Sequence, residues 1–475
     1  MTITALQTVK KQTTCRLHSK TNPAEINLDS LSEVFSALPG VSILGGNSSK
    51  KTADGFSYWM AMPKDVFEFH AGQVELLEKL QKVLDKYKPA KPPLSNRMFT
   101  GGWVGFFGYK LGSYLEPVPC TNTDDLQLPL IRLCFYDRLI AYDHSKKTFQ
   151  LITIQLDNDT ETPQQKLSFL ESLLDKARDA RVSTPKSANI ENADFSRVRS
   201  NMTKDYYFKA FEKIKRHIYD GDVYQINFSQ RFCCEYNARP IDLFHWQNRY
   251  NPSPWSAYID AGDFQIVSAS PEMFLTVKNG LIGTKPIKGT RKRLEETSAQ
   301  TKQINTENLQ QLLASEKEKA ELNMIIDLER NDLARLCVPG TRKVTQPRTI
   351  ETYSSVFHAV ATVAGKLRDN VNFCDILKAV FPGGSITGAP KIRSMQIINQ
   401  TEPTARGVYT GSIGYLGLDG SVCLNIAIRT IIIKNKSAYV QTGGGIVADS
   451  DPIAEYDETI TKARALIAGI TAVNH

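Results

Sequence analysis

Two pairs of carboxylates carry the first chemical signal. Glu318 and Glu321 are three residues apart, and so are Glu455 and Glu458. Both pairs fall in segments with helical periodicity, where side chains at i and i+3 share a face. Two such faces meeting would form an oxygen-rich pocket for Mg²⁺, a hard cation that prefers carboxylates and water. Two solvated helix surfaces are the plainer alternative. Gly443-Gly444-Gly445 lies shortly before the second pair. Glycines there permit close backbone approach, with N–H groups free for an anion.

A second glycine-rich stretch runs Phe381-Pro382-Gly383-Gly384-Ser385-Ile386-Thr387-Gly388-Ala389-Pro390-Lys391. It is not a Walker A loop, which needs Ser or Thr directly after its lysine. It reads as a loop whose amides and Lys391 face an anion, or as a structural turn. Thr284–Arg293 holds five cations in ten residues. No aromatic residues are interleaved with them, which argues against a nucleic-acid patch. Lys288 differs from the others because it sits between Ile287 and Gly289, at an expected strand end. Desolvation would favour its neutral, nucleophilic amine. Ordinary exposure is the alternative.

Three single residues complete the set. Glu272 follows Ser270-Pro271 and precedes Met273-Phe274. Apolar neighbours would raise its pKa toward a general-acid role, unless it is a surface turn carboxylate. His358 follows Val356-Phe357 in an apolar strand and reads first as a satisfied core residue. Arg429 lies in Asn425-Ile426-Ala427-Ile428-Arg429-Thr430, read as a strand apolar on both sides. A buried arginine needs an anionic partner, from the protein or from a ligand.

These residues need elements to position them. Helical spacing is expected within Val66–Tyr87, over Lys204–Tyr219 and Glu316–Leu336, and from Ile453 to Ile467. Strands are expected at Leu130–Tyr142, Phe149–Leu156, Val223–Phe232, Ser355–Leu367, Arg406–Leu416, Val422–Ile433 and Ala438–Thr442. Hairpins and helices both connect them, which predicts an α+β fold with large antiparallel sheets. The polar stretch around Ser183-Thr184-Pro185-Lys186-Ser187 predicts a boundary near 180–195. It separates an N-terminal region, 26–180, from a region at 195–475. Residues 1–25 read as a flexible N-terminus.

Composition fits such a domain. The 475 residues are 41% hydrophobic and 23% charged, which excludes a disordered or fibrous chain. The net charge of +8 points to an anionic partner. Eight dispersed cysteines without a C-x-x-C pair suggest reduced thiols and a cytoplasmic protein. No stretch reaches the ~18 apolar residues of a membrane span.

Taken together, these stretches resemble the chorismate-utilising enzyme family. The match is dense over 195–475, through Val223-Tyr224-Gln225-Ile226-Asn227, Ser270-Pro271-Glu272, Ala320–Leu328 with Arg330-Asn331-Asp332, the Phe381–Lys391 loop, Gly443–Ser450 and Glu455-Tyr456-Asp457-Glu458-Thr459. It extends loosely into 26–180 through Phe99–Phe106. The resemblance implies a sandwich of large antiparallel sheets flanked by helices, with Mg²⁺ as cofactor and the dianion chorismate as substrate. It implies that Glu321 and Glu458 ligate the metal, with Glu318 and Glu455 supporting them or holding bound water. Tyr409, Arg429, Lys462 and the backbone of Gly443–Gly445 would bind substrate carboxylates. Gly289, Thr290 and His358 would also line the site.

Two positions discriminate within the family. Isochorismate and salicylate synthases place a lysine base where this chain has Gln225, so water addition is not expected. Anthranilate synthases read Pro-Ile-Ala-Gly where this chain reads Pro286-Ile287-Lys288-Gly289. The lysine form resembles the large components of aminodeoxychorismate synthases. That implies Lys288 as nucleophile at C2 of chorismate and Glu272 as general acid for the departing hydroxyl. No Cys-His-Glu glutaminase pattern is evident, so ammonia is expected from a separate glutamine amidotransferase subunit or from solution. At the place of the tryptophan-binding element of regulated anthranilate synthases the chain reads Ile43-Leu44-Gly45-Gly46, which does not match that element.

Overall fold

The chain builds two antiparallel sheets and passes between them repeatedly, twice at a break inside an apolar run that reads as one strand. The computed structural model describes residues 15–23, 25–46, 54–89, 98–182, 185–353 and 356–474. Leu130–Tyr142, expected as one strand, is two. Ile131–Tyr136 belongs to a ten-stranded sheet and Arg138–Asp143 to a twelve-stranded one. Asp137 sits at the crossing, held by Lys166 Nζ at 2.7 Å and Arg138 Nε at 3.1 Å. Val422–Ile433 divides in the same way, into Val422–Asn425 of the smaller sheet and Thr430–Lys434 of the larger. Arg429 is therefore in a crossing and not inside a strand. Its φ is +49°, in the left-handed region that a non-glycine residue seldom occupies.

Strands from the two expected regions interleave. In the larger sheet Ser42–Leu44 pairs with Trp255–Asp260. In the smaller, Gly102–Phe107 pairs with Ser412–Gly417. Both sheets thus run through the expected boundary at 180–195. The expected flexible terminus is also partly ordered, because Cys15–Asn22 pairs along its length with Thr148–Leu156.

The sheets face each other across shared cores. Tyr58, Met60 and Ile152 of the larger sheet pack with Val104, Tyr136 and Tyr415 of the smaller. Phe264, Ile266 and Ile432 meet Phe106 and Ile413 in a second cluster. Each such side chain contributes about 1.5–3 kcal/mol by leaving water. Helices Leu28–Ser36, Pro163–Asp179, Pro240–Tyr250 and Pro452–Val473 bury residues in a core shared with the larger sheet. Glu316–Ala334, Phe373–Val380 and Lys391–Thr401 do the same with the smaller. This is the expected α+β sandwich flanked by helices.

Caps set the phase of the two carboxylate helices. Ser315 accepts from the Glu318 amide at the start of Glu316–Ala334. Asp451 accepts from the Ile453 and Ala454 amides at the start of Pro452–Val473, with Pro452 in the first helical position. Fixing the first turn fixes which face carries each glutamate. Among the described residues no helix is long and apolar enough to cross a membrane. All eight cysteines are free thiols.

Candidate active site

Lys288 lies in the strand Ile287–Lys292, whose pairing with Val356–Lys366 shifts register between Ile287 and Thr290. The irregularity contains Lys288 and Gly289, and such a bulge re-aims side chains. Gly289 is required there. Its φ is +91°, and a Cβ would come within 2.9 Å of Glu318 Oε2. The strand can therefore buckle beneath the helix Glu316–Ala334.

Lys288 is half-buried. Burial lowers its pKa, while Glu321 and Glu272 push it up and Lys462 pushes it down. Glu458 adds a further upward push. Carboxylates from both acidic helices thus act on one amine.

Glu272 is buried, and burial raises its pKa. The Ser385 hydroxyl donates to its Oε1 at 2.7 Å and, with the Lys288 charge, opposes that rise. Ser385 is therefore what the Phe381–Lys391 loop brings to the site. Lys391 does not face a free anion site. Its Nζ is held by Asp332 Oδ2 at 2.6 Å and by the Val380 carbonyl at 3.0 Å. The same loop pairs Gly388–Ala389 with Gln225 and Ile226. Gln225 is fully buried, and neither atom of its amide finds a protein partner.

The triple glycine is not an open loop. Gly443, Gly444 and Gly445 lie in the strand Ser437–Ile446, opposite Ser229, Phe228 and Asn227. What they provide is room. A Cβ at Gly444 would lie 2.7 Å from Glu455 Oε2, and one at Gly445 would lie 2.4 Å from Gln225 Nε2. Lys462 Nζ reaches the Gly443 carbonyl at 2.8 Å and Glu458 Oε1 at 2.6 Å.

The glutamates differ in their surroundings. Burial raises Glu455, against a 2.6 Å hydrogen bond from the Ser450 hydroxyl. Burial also works to raise Glu458, but Lys462 overcomes it and the net shift is downward. Glu318 Oε1 accepts from Arg291 Nη1 at 2.7 Å, while its buried Oε2 has no partner. An all-carboxylate donor set with an orphaned oxygen fits a hard divalent cation. The expected closed cage is not assembled, however. Among the described residues only Glu33, Asp242 and His245 bring three ligand atoms within 4.8 Å of one another. There the Arg239 guanidinium already holds both carboxylates.

Cations and neutral donors form the other side. Thr290 Oγ1 and His358 Nδ1 are 2.8 Å apart, and the buried Nε2 has no partner. Burial, with the Arg429 charge added, pushes His358 down to about 3, so the ring is neutral. His358 is thus half satisfied, and not the fully satisfied core histidine expected first. Tyr409 is buried, and burial pushes it up to about 12. The fully buried Arg406 stacks near it, 5.7 Å from the ring centre. Burial also lowers Arg429, and among the described residues no carboxylate pairs with it. Of the two partners open to Arg429, the protein one is absent from this surrounding.

Sequence reasoning missed Ser385 as a named site residue. Ser385 lay inside a quoted motif.

Comparisons with known proteins give the family and the fold. Residues 48–468 match the family described as chorismate binding enzyme. Aminodeoxychorismate synthase component 1 of Bacillus subtilis is 41% identical over 371 residues, covering 78% of this chain and 76% of that one. Anthranilate synthase component 1 of Acetivibrio thermocellus is 38% identical over 400 residues, covering 83% and 80%. The crystal structure of anthranilate synthase component I from Streptococcus pneumoniae superposes with a TM-score of 0.74 at 32% identity, over 88% of this chain and 93% of that one. The chain belongs to the chorismate-binding enzyme family.

Proposed function

We propose that this enzyme converts chorismate and ammonia to 4-amino-4-deoxychorismate. The observation that carries the reading is Lys288, an amine whose charged form burial disfavours, within the field of the buried acid Glu272. Lys288 Nζ adds to C2 of chorismate, and the ring double bond shifts as the C4 hydroxyl leaves. Glu272 gives that oxygen its proton, so water departs and the carboxylate remains. Ammonia then adds at C4, the double bond shifts back, and the lysine leaves. Holding the amine against C2 replaces a bimolecular encounter.

Arg429, Lys462 and the Tyr409 hydroxyl suit the two substrate carboxylates, and the half-satisfied His358 and Thr290 suit a ring substituent. Gln225 and the backbone of Gly443–Gly445 would line the same site. Glu321 and Glu458 would hold Mg²⁺, with Glu318 and Glu455 beside them. The ion would neutralise carboxylate charge on the substrate. Several relatives are named as component 1 of a synthase. That supports a glutamine amidotransferase subunit as the ammonia source. The free thiols suit a reducing, cytoplasmic setting.

The test is to mix the protein with chorismate, Mg²⁺ and ammonium and to weigh the product. Aminodeoxychorismate keeps the pyruvyl group. A chain that yields no aminated product does not have this activity. Anthranilate synthase component I is the second reading, favoured by relatives of nearly equal identity that carry that name. It would release pyruvate.

A further inference from the structure

Glu33, Asp242 and His245 lie outside the site described above, and no step of the proposed reaction uses them. Asp242 and His245 are three apart on Pro240–Tyr250, so they share a helix face. Glu33 comes from Leu28–Ser36, which meets that helix in one apolar core. A carboxylate oxygen from each acid and a ring nitrogen of His245 all fall within 4.8 Å of one another.

The imidazole gives an observation that does not depend on the acids. His245 is 2% exposed, and its buried Nε2 has no hydrogen-bond partner among the described residues. A histidine that only completed an ion pair would donate to one of the acids, and Nε2 donates to neither. A buried polar atom left unmet is uncommon and points to a group that satisfies it. The two carboxylates are met by one cation, Arg239. Its Nη1 lies 2.5 Å from Glu33 Oε1 and its Nη2 2.6 Å from Asp242 Oδ1. The Arg239 side chain is 59% exposed, so it can turn into water. Each carboxylate keeps lone pairs beyond those the guanidinium takes.

We propose that Glu33, Asp242 and His245 Nε2 bind a divalent cation of the zinc class, which clips Leu28–Ser36 to Pro240–Tyr250. Two carboxylates and one imidazole are a zinc donor set, and a site with three protein ligands leaves the fourth position to water. The imidazole selects against Mg²⁺ and Ca²⁺, which take oxygen ligands. Zinc bonds of about 2.0–2.2 Å set tetrahedral ligand atoms about 3.4 Å apart. Atoms already within 4.8 Å need only a small inward turn to reach that spacing. Arg239 holds the carboxylates together until the ion enters and then turns outward. Glu33 precedes the stretch at 180–195 and the other two ligands follow it, so the ion ties the two parts of the chain together outside the sheets.

The test uses the full chain, with excess Mg²⁺ to occupy the glutamates of the proposed active site. Co²⁺ serves as the visible probe and is titrated into wild type, Glu33→Gln, His245→Gln and Arg239→Gln. Wild type should take up one Co²⁺ per chain with the spectrum of a nitrogen- and oxygen-ligated ion, and Zn²⁺ should displace it. Glu33→Gln and His245→Gln should each weaken binding by at least about tenfold. Arg239→Gln removes the competing cation and should tighten it by about tenfold. Thermal melts keep the proposal testable if the buried His245 is needed for folding. Zn²⁺ should raise the melting temperature of wild type and of Arg239→Gln but not that of Glu33→Gln, whose side chain is half-buried. No binding, a thiolate-to-cobalt charge-transfer band, or wild-type affinity in Glu33→Gln would overturn the site.

Discussion

The Thr290 hydroxyl sits 2.8 Å from His358 Nδ1 and leaves the buried Nε2 of the same ring without a partner. One end of the imidazole is therefore fixed by the protein while the other is left unsatisfied. With the ring neutral, substrate binding should need no proton from solvent at this residue. His358→Ala should lose about 10–100-fold in kcat/KM, the range of one buried hydrogen bond plus lost packing. Steady-state kinetics checks it, and an unchanged kcat/KM would remove His358 from the site.

The same residue makes a stability prediction. Its folded pKa, about 3, lies below the unfolded value of 6.5. Between those values the unfolded chain binds the extra proton, so stability falls as pH drops below about 6.5. From pH 6.5 to 5 this term is at most about 2 kcal/mol. Denaturant melts of His358→Gln should show a flatter acid slope than wild type. Parallel slopes would mean the histidine takes up its proton within the fold.

Lys288→Ala should abolish most aminodeoxychorismate formation, by about a hundredfold or more if the amine is the nucleophile. Product analysis should also be run for anthranilate, because the substitution recreates the Pro-Ile-Ala-Gly reading. A variant with wild-type output of aminodeoxychorismate would exclude covalent chemistry at Lys288.

Arg429→Met separates a ligand contact from a structural one. No described carboxylate depends on this guanidinium, and burial disfavours its charge. Binding should weaken by about 2–5 kcal/mol, seen as a raised KM, while the melting temperature holds or rises. A lower melting temperature with unchanged KM would show that Arg429 serves the fold.

Gly444→Ala tests the space behind the acidic side. Its Cβ would meet Glu455 Oε2 at 2.7 Å, so the carboxylate must move. Mg²⁺ activation should then need about tenfold more metal. Titrating activity against Mg²⁺ gives the answer, and an unshifted curve would show that Glu455 can move without consequence.

Much of this was legible in the sequence. Helix Lys204–Tyr219 has its expected bounds because its apolar spacing and the following Asp220-Gly221 are local signals. The acidic helices were placed by the same kind of signal. Sheet crossings were not legible. Leu130–Tyr142 reads as continuous because both halves are apolar, and only the long-range partner of Asp137 reveals the break. Ala299–Ala314 was missed because only Asn305 and Leu312 are buried on it, too few to show a periodicity. Where Val66–Tyr87 carries helical spacing, a strand, Asp65–Phe69, precedes the helix Leu76–Lys86. In the site, the residues were named but their roles depended on neighbours. Lys391 looks like an anion ligand until Asp332 is seen beside it, and Gly443–Gly445 look like a loop until Gln225–Glu235 is paired to them.

The interleaving of strands limits how this protein can be divided. A fragment holding only residues 195–475 would contain every residue of the proposed site. It would also expose Ser412–Gly417 and Trp255–Asp260 as raw edges, since their partners Gly102–Phe107 and Ser42–Leu44 lie in the discarded part. Open edges of that kind recruit other chains. Residues 195–475 therefore depend on strands from the preceding part, and an exchange of parts with a related enzyme must carry both across together.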